Sequence, residues 1–388
     1  MQTFAFAGTR RTRPPAETWR AIRPLLTGFG ITRVADVTGL DDLGIPVAMA
    51  VRPLARTLSV AQGKGADLDS ARVSAAMEAI EVWHAERAPL PTAEHDARAR
   101  DLELPYPLHS LEHHPGSLVT DRVRMDWVTA HCLVDGTRTL LPQAAVRLGR
   151  SVHPQWRLHL PSASTNGLAS GNTRGEALVH ALCEVIERDV LSAAAPTGPD
   201  RPLLLKPGDV ADPHCADLLD RMLSQRCWVE LRLWPNRFGL PVMTCHLWRE
   251  DQSAVIVAGS GAHPEPGIAL SRAITEAAQT RLTLISGTRE DNQPLAYRTG
   301  PHLTPAPRAE PAAEWSRIAD RHRAAQASDT EQAAALAAVV HLVGGHAPMA
   351  VDLTPDNPGL APFTVVKVIA PGLRYTARHT VPRPRTAV

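Results

Sequence analysis

The chain of 388 residues carries 41 Lys and Arg against 40 Asp and Glu, a formal charge of +1, with 44% apolar, 21% charged and 4% aromatic residues. That is length for two or three domains or one large α/β unit with an ample core, and the composition excludes a disordered chain. Balanced charge and scarce rings argue against a nucleic-acid partner, which needs a basic surplus and stacking platforms. No run approaches the ~20 apolar residues that span a bilayer. Phe4–Phe6 lead into Arg10, Arg11 and Arg13 rather than a signal segment. The cysteines (Cys132, Cys183, Cys215, Cys227, Cys245) are odd in number and never spaced C-x-x-C, which speaks against disulfides or structural zinc and for a cytoplasmic setting.

In chain order, a basic, proline-containing start leads into a short helix near Glu17–Leu26, then into the strand-like ITRVADVT and IPVAMAV. Residues 88–120, rich in Pro, His and acid, read as a surface segment. Residues 196–213 and 288–312 read as loops. Residues 228–259 read as a meander (WVELRLWP, LPVMTCHLW, SAVIVAG). The part 331–388 offers a helix (EQAAALAAVVHLV) and two strands (PMAVDLT, FTVVKVIAPG) of the same unit, and 1–388 reads as one domain.

Three segments repeat one layout: a strand-like run, a Gly loop, then an Ala-rich helix. The helices are ARVSAAMEAIE (71–81), ALVHALCEVIE (177–187) and ALSRAITEAAQ (269–279). In register, Ala71, Ala177 and Ala269 coincide, as do Glu78, Glu184 and Glu276. Three residues on stand Glu81, Glu187 and Gln279; four residues before the shared Glu stand Ser74, His180 and Arg272. Ala and Glu are strong helix formers, so chance explains part of any such match. Against chance stands the repetition of the whole layout, strand and loop included.

Residues at i, i+3 and i+4 share a helix face, with Cβ atoms roughly 5–6 Å apart. If the three stripes converge, the carboxylates of Glu78, Glu81, Glu184, Glu187 and Glu276 meet, and like charges that close require cations. Mg²⁺ suits hard oxygen ligands and shares them with phosphates. The competing reading is a solvated acidic face on each helix. Gly63-Lys64-Gly65 lets backbone amides and one ammonium approach an anion, or is a plain turn; it is not the G-x-x-x-x-G-K-[ST] phosphate loop. Asn172 and Glu176 precede the second stripe, but Thr173-x-x-Glu176 is also a capping box. Arg188 and Arg272 suit a phosphate or simply pair with a Glu. His180 is a candidate base or a packing histidine. His109, His113 and His114 in a Pro-rich stretch, and the neighbours His214-Cys215 and Cys245-His246, make weak sites; Cys183 falls among core positions of its helix.

The segments GITRVADVTGLDDLGIPVAMAVRP, LSVAQGKG, ARVSAAMEAIE, NGLASGNTRGEALVHALCEVIERD and ALSRAITEAAQTRLTLISGTRED resemble the YcaO family, from about Arg11 to Gly372. The motifs S-x-x-x-E-x-x-E, N-x-x-x-E…E-x-x-E-R and R-x-x-x-E occur in order. The resemblance implies an α/β fold of YcaO type in which the three units converge on one nucleotide cleft, with ATP and Mg²⁺ bound there. Carried over residue by residue, it implies metal ligands at Glu78, Glu81, Glu184, Glu187 and Glu276. It implies nucleotide contacts at Arg11, Thr18, Lys64, Ser74, Asn172, Glu176, Arg188 and Arg272, the last two arginines also stabilising the transferring phosphate.

The activity implied is activation of a peptide backbone amide: a nucleophile adds to the carbonyl, the oxyanion takes the γ-phosphate, and phosphate leaves with the carbonyl oxygen. A Cys, Ser or Thr side chain gives an azoline, sulfide a thioamide, and the peptide's own amine a macrocyclic amidine. Azoline-forming members often end P-x-P-x-P. Here Pro382 and Pro384 fit, but Thr386 replaces the third proline and Ala387-Val388 follow. With no fused leader-binding or E1-like domain, the chain reads as a stand-alone member. The expectation is a precursor peptide as substrate, a TfuA-type or leader-binding partner, and thioamide formation ahead of amidine and azoline formation. A homodimer is admitted; a membrane is not expected. A non-catalytic peptide- or partner-binding protein is the alternative of a different class, and a degenerate acidic set would be its mark.

Overall fold

Short apolar strands alternating with alanine-rich helices fold as a mixed α/β protein. The computed structural model describes residues 3–113, 117–149, 159–193, 201–252, 255–289, 313–322, 327–354, 361–374 and 380–382. In chain order the elements are β1 (Phe4–Phe6), β2 (Thr9–Arg11), α1 (Pro15–Ile22), β3 (Arg33–Asp36), β4 (Val47–Val51), β5 (Val60–Lys64), α2 (Leu68–Arg87), β6 (Thr92–Arg98), β7 (Arg124–Cys132) and β8 (Arg138–Pro142). There follow α3 (Gln143–Val146), β9 (Leu168–Gly171), α4 (Arg174–Ala193), β10 (Leu203–Leu205), α5 (Pro213–Ser224), β11 (Trp228–Leu233), β12 (Val242–Trp248) and β13 (Val255–Ala262). The last are α6 (Pro266–Ser286), α7 (Trp315–Arg321), α8 (Asp329–Gly344), β14 (Met349–Asp352), β15 (Thr364–Ile369) and β16 (Thr380–Pro382).

Among the described residues the strands form four antiparallel sheets: β1-β2; β3-β4-β5; β6-β7-β14-β15-β9 with β8 added on β7; and β10-β11-β12-β13-β16. The expected meander is β11-β12-β13, paired in the register Trp228↔Trp248 and Val242↔Ala262. The three repeated helices are α2, α4 and α6, each packed on the strand before it: β5, β9 and β13. Asp67 caps α2 by accepting from Ser70 N at 2.7 Å. The helix expected near Glu17–Leu26 ends at Ile22 and continues as a 3₁₀ turn, because Pro24 has no N–H to give the α ladder.

Glycine makes the strand–helix approach close enough. A Cβ on Gly63 would sit 2.0 Å from Ala75 N and 2.3 Å from Ala71 O; one on Gly261 would sit 2.2 Å from Ala269 O. Alanine on the helix and glycine on the strand therefore bring each helix's acidic stripe within reach of the other two units.

The segment 88–120 runs largely along the surface, as expected, but it is not simply a loop. Residues 92–98 form β6, paired with β7, and Tyr106, Leu108 and Leu111 are buried. Tyr106 donates to Leu140 O at 2.8 Å. Proline there prevents helix without forcing exposure. Likewise 196–213 contains β10, which pairs with β11. Residues 290–312, most of the other expected loop, lie outside the described residues, as do His114 and the tail from Arg383.

Candidate active site: three helices around one cleft

The acidic stripes of α2, α4 and α6 face a single cleft of ≈ 970 Å³. Ser74, Glu78 and Glu81 line it from α2, and Lys64 from β5. Asn172 joins Glu176, His180, Glu184, Glu187 and Arg188 of α4. Arg272, Glu276 and Gln279 come from α6, while Arg11 and Thr18 enter from the N-terminal segment. The structure thus gathers every residue that the sequence singled out for nucleotide or metal.

Each helix also touches the strand of the next unit, α2 on β9, α4 on β13 and α6 on β5. Side chains seal these three joints. Ser170 donates to Glu81 Oε1 and Ser260 to Glu187 Oε1, both at 2.6 Å. At the third joint Gln279 Nε2 donates to Gln62 O at 3.4 Å. Gln62, Ser170 and Ser260 each stand directly before a glycine of the close approach, so the three units form a closed ring.

Burial dominates the electrostatics. It pushes the Glu78 carboxyl up to about 7, against the pull of Arg289 and Lys64. It pushes Glu81 up to about 8, with Glu78 and Glu184 adding repulsion that the Ser170 hydrogen bond opposes. Glu184 is raised for the same reason. Cations inside the cleft offset part of this: Lys64 Nζ pairs with Glu276 at 2.5 Å, and Arg188 lies 3.5 Å from Glu184 and 3.7 Å from Glu187. The Nε and Nη1 of Arg188 are buried without a hydrogen-bond partner. Burial, then Arg272 and Arg11, hold His180 and His263 well below the usual imidazole range, so both are neutral. Glu265 N donates to His263 Nδ1 at 3.0 Å, which puts that ring's proton on Nε2.

The donor set fits Mg²⁺ held jointly with a polyphosphate. Among the described residues no three His, Cys, Asp or Glu side chains form a preformed cage. Mg²⁺ takes one or two carboxylates plus phosphate oxygens and keeps its waters. Half-buried carboxylates pushed towards neutrality by desolvation, beside a guanidinium with unused donors, fit a site completed by a charged ligand.

Glu176 has a different surrounding from the other carboxylates. It accepts from Thr12 N at 2.5 Å, Thr12 Oγ1 at 2.7 Å, Asn172 N at 2.9 Å and Asn172 Nδ2 at 3.1 Å. Thr18 Oγ1 donates to Asn172 Oδ1 at 2.9 Å. Half of the capping box forms, since Thr173 Oγ1 accepts from Glu176 N, but the carboxylate reaches Asn172 and Thr12 instead. Glu176 and Asn172 thereby hold the N-terminal segment across one end of the cleft. Lys64 is likewise engaged by Glu276 rather than open to solvent.

Of the weak candidates among the described residues none lines the cleft, although His214 Nε2 lies 3.1 Å from Oγ of Ser271, which does. All five cysteines are buried and free, and burial pushes the Cys183 and Cys245 thiols up to about 12. His113 Nε2 lies 3.1 Å from Leu108 O. Sequence reasoning missed Ser170, Ser260, Gln62, Thr12 and Lys367. The buried Lys367 donates to Ser164 O at 2.7 Å and Asn166 O at 2.6 Å, fixing the loop whose Gly167 N donates to Glu184 Oε2 at 3.1 Å.

Fold and cleft together define an α/β protein that presents buried carboxylates and arginines to one ligand space. A family model described as YcaO cyclodehydratase, ATP- and Mg²⁺-binding, matches residues 62–374. The chain belongs to the YcaO family. An uncharacterized protein of Mycobacterium tuberculosis is 43% identical over 296 residues, 75% of this chain and 65% of the relative, so the chain spans less than two thirds of that protein. An uncharacterized protein in the tfuA 3′ region of Rhizobium leguminosarum bv. trifolii is 36% identical over 299 residues, 74% of this chain and 70% of its own length. Among solved structures, YcaO from Methanopyrus kandleri bound with AMPPCP and Mg²⁺ has a TM-score of 0.66 at 26% identity, covering 96% of this chain and 95% of that one. No helix among the described residues is long and apolar enough to cross a membrane.

Proposed function

We propose that the chain uses ATP and Mg²⁺ to activate a backbone amide of a ribosomally made precursor peptide, and that with a TfuA-type partner it replaces the amide oxygen by sulfur. The observation that carries the reading is the convergence of the three acidic stripes, with Arg188 and Arg272, on one cleft. The similarity to a YcaO that holds AMPPCP and Mg²⁺ supports the cofactors, and the rhizobial relative's place beside tfuA supports the partner.

In this reading the metal ligands are drawn from Glu78, Glu81, Glu184, Glu187 and Glu276. Bound there, Mg²⁺ would neutralise the polyphosphate, and Arg11, Thr18, Asn172 and Glu176 would hold the nucleotide's other end, with Ser74 and Lys64 serving the phosphates. Hydrosulfide adds to the amide carbon. The resulting oxyanion attacks the γ-phosphorus and ADP departs. Collapse of the adduct gives the S–H proton to the departing phosphate, which leaves with the former carbonyl oxygen, and the thioamide remains. Ser170 and Ser260 fix the rotamers of Glu81 and Glu187. Arg188, with unused N–H donors, faces the charge that builds on the transferring group, and such positioning supplies most of the catalysis in phosphoryl transfer.

The test is a precursor peptide labelled with ¹⁸O at its backbone carbonyls, incubated with the chain, partner, ATP, Mg²⁺ and sulfide. The expected result is ¹⁸O in the released phosphate and an oxygen-to-sulfur mass change in the peptide. Loss of one water instead would replace the thioamide by an amidine or azoline. Unlabelled phosphate would overturn amide activation itself.

A further inference from the structure

The three joints of the ring occupy equivalent positions, yet only two are chemically alike. At two of them a serine hydroxyl meets a carboxylate, Ser170 with Glu81 and Ser260 with Glu187. At the third, the carboxamide of Gln279 donates to the backbone carbonyl of Gln62, so a neutral glutamine stands where the other two joints have a glutamate. A carboxylate gives Mg²⁺ a formal charge; a carboxamide gives none and is matched by a neutral partner with one donor and one acceptor.

Gln62 is 1% exposed and lines the cleft. Thr283 Oγ1 lies against one heavy atom of its carboxamide, and the other, Nε2, is buried with no hydrogen-bond partner. Buried polar groups are otherwise almost always paired, and an orphan beside a cleft marks a group held for a ligand. Gln279 is only partly buried. Its Nε2 is used by Gln62, and its Oε1 accepts no bond among the described residues.

The location separates this joint from the proposed nucleotide end. Helix α6 lines the cleft from Ser271 to Leu284, with Arg289 beyond. Arg272, near its start, faces Arg11 and His180. Gln279 lies two turns further on, next to Thr280 and Thr283, and so on the side away from Arg11. The carboxylates stand between the two ends.

We propose that the Gln62–Gln279 joint binds the backbone of the peptide substrate, with Gln279 Oε1 accepting an amide N–H and the buried, unpartnered Nε2 of Gln62 donating to a neighbouring carbonyl. The inference deepens the function proposed above and rests on it. It makes both Gln279 and Gln62 substrate contacts.

Acetyl-tetraglycine-amide, which has backbone amides and no side chains, is the probe. It is titrated calorimetrically into the full chain with and without AMPPCP and Mg²⁺, for wild type, Gln279→Ala and the near-isosteric Gln279→Glu. The expected result is binding to wild type that weakens at least about tenfold in Gln279→Ala, the loss of one or more good hydrogen bonds, with AMPPCP affinity unchanged. Gln279→Glu is expected to weaken the peptide further as Mg²⁺ rises, because the joint then resembles its two acidic counterparts. No binding of the probe to wild type, or equal binding in Gln279→Ala, would overturn the proposal. So would a loss confined to AMPPCP, which would assign the joint to the nucleotide. Failure of wild type to bind AMPPCP would sink the parent reading alone, since the titration without nucleotide still decides the joint.

Discussion

Glu81→Gln is expected to lower ATP turnover by at least about 10²–10³-fold, the scale of losing one preorganised electrostatic group, while leaving the metal-free protein no less stable. Glutamine keeps the acceptor that Ser170 uses at 2.6 Å and removes only the charge. The sign of the stability effect follows from burial. Glu81 is pushed up to about 8 in the folded chain, so wild type holds a proton there that the unfolded chain has shed above its ordinary value of 4.5. The folded state therefore loses stability as pH rises from about 4.5 through 8, and glutamine escapes that loss. Phosphate release and thermal melts at pH 6 and 8.5 check both halves. A variant that melts well below wild type at pH 8.5 would make Glu81 a structural residue.

Glu86→Ala is expected to have the opposite profile, a loss of stability of about 3–5 kcal/mol, as when one member of a buried ion pair is removed. Glu86 is 0% exposed and lies just past the acidic stripe on α2. Its carboxylate accepts from Arg52 Nη1 at 2.7 Å, Arg56 N at 3.1 Å, Thr57 N at 2.9 Å and Thr57 Oγ1 at 2.7 Å. Truncation strands a guanidinium that is 2% exposed and two backbone amides. These partners hold Glu86 below its ordinary range, so its contribution is present above pH 4.5 and is lost as pH falls through the lowered value. The shift of the urea midpoint measures the effect. A change under about 1 kcal/mol would contradict it.

The stripes were legible because helical periodicity is local: Glu78 and Glu81 announce a shared face from three residues' spacing. The partners that orient them were not. Ser170 and Ser260 lie on strands of the next unit, 89 and 73 residues from Glu81 and Glu187, and strand alternation alone does not say which face meets which helix. One signal was present, since each stands before a glycine equivalent to Gly63 in the repeat. Thr12 and Glu176 are 164 residues apart, and nothing local links them. For Lys367 the one available signal was rarity, since the chain has only three lysines, Lys64, Lys206 and Lys367. Nothing local marks Glu86 either, because its burial comes from Arg52, Arg56 and Thr57 folding over it. Prolines in 88–120 suggested exposure, whereas Tyr106 and Leu108 between them plug the core beside Trp127.

The central claim is that the three stripes make one nucleotide–metal site, and calorimetric titration of AMPPCP tests it most directly. It is run with and without Mg²⁺, on wild type and Glu78→Ala, in buffers of different ionisation enthalpy. The expected result is Mg²⁺-dependent binding that the variant loses. Proton release on binding to wild type near pH 7 is also expected, because Glu78 and Glu81, raised to about 7 and 8, must ionise to meet the metal. Affinity then rises as pH rises through that range. Binding that ignores Mg²⁺, or that Glu78→Ala retains in full, would contradict the convergent-carboxylate site.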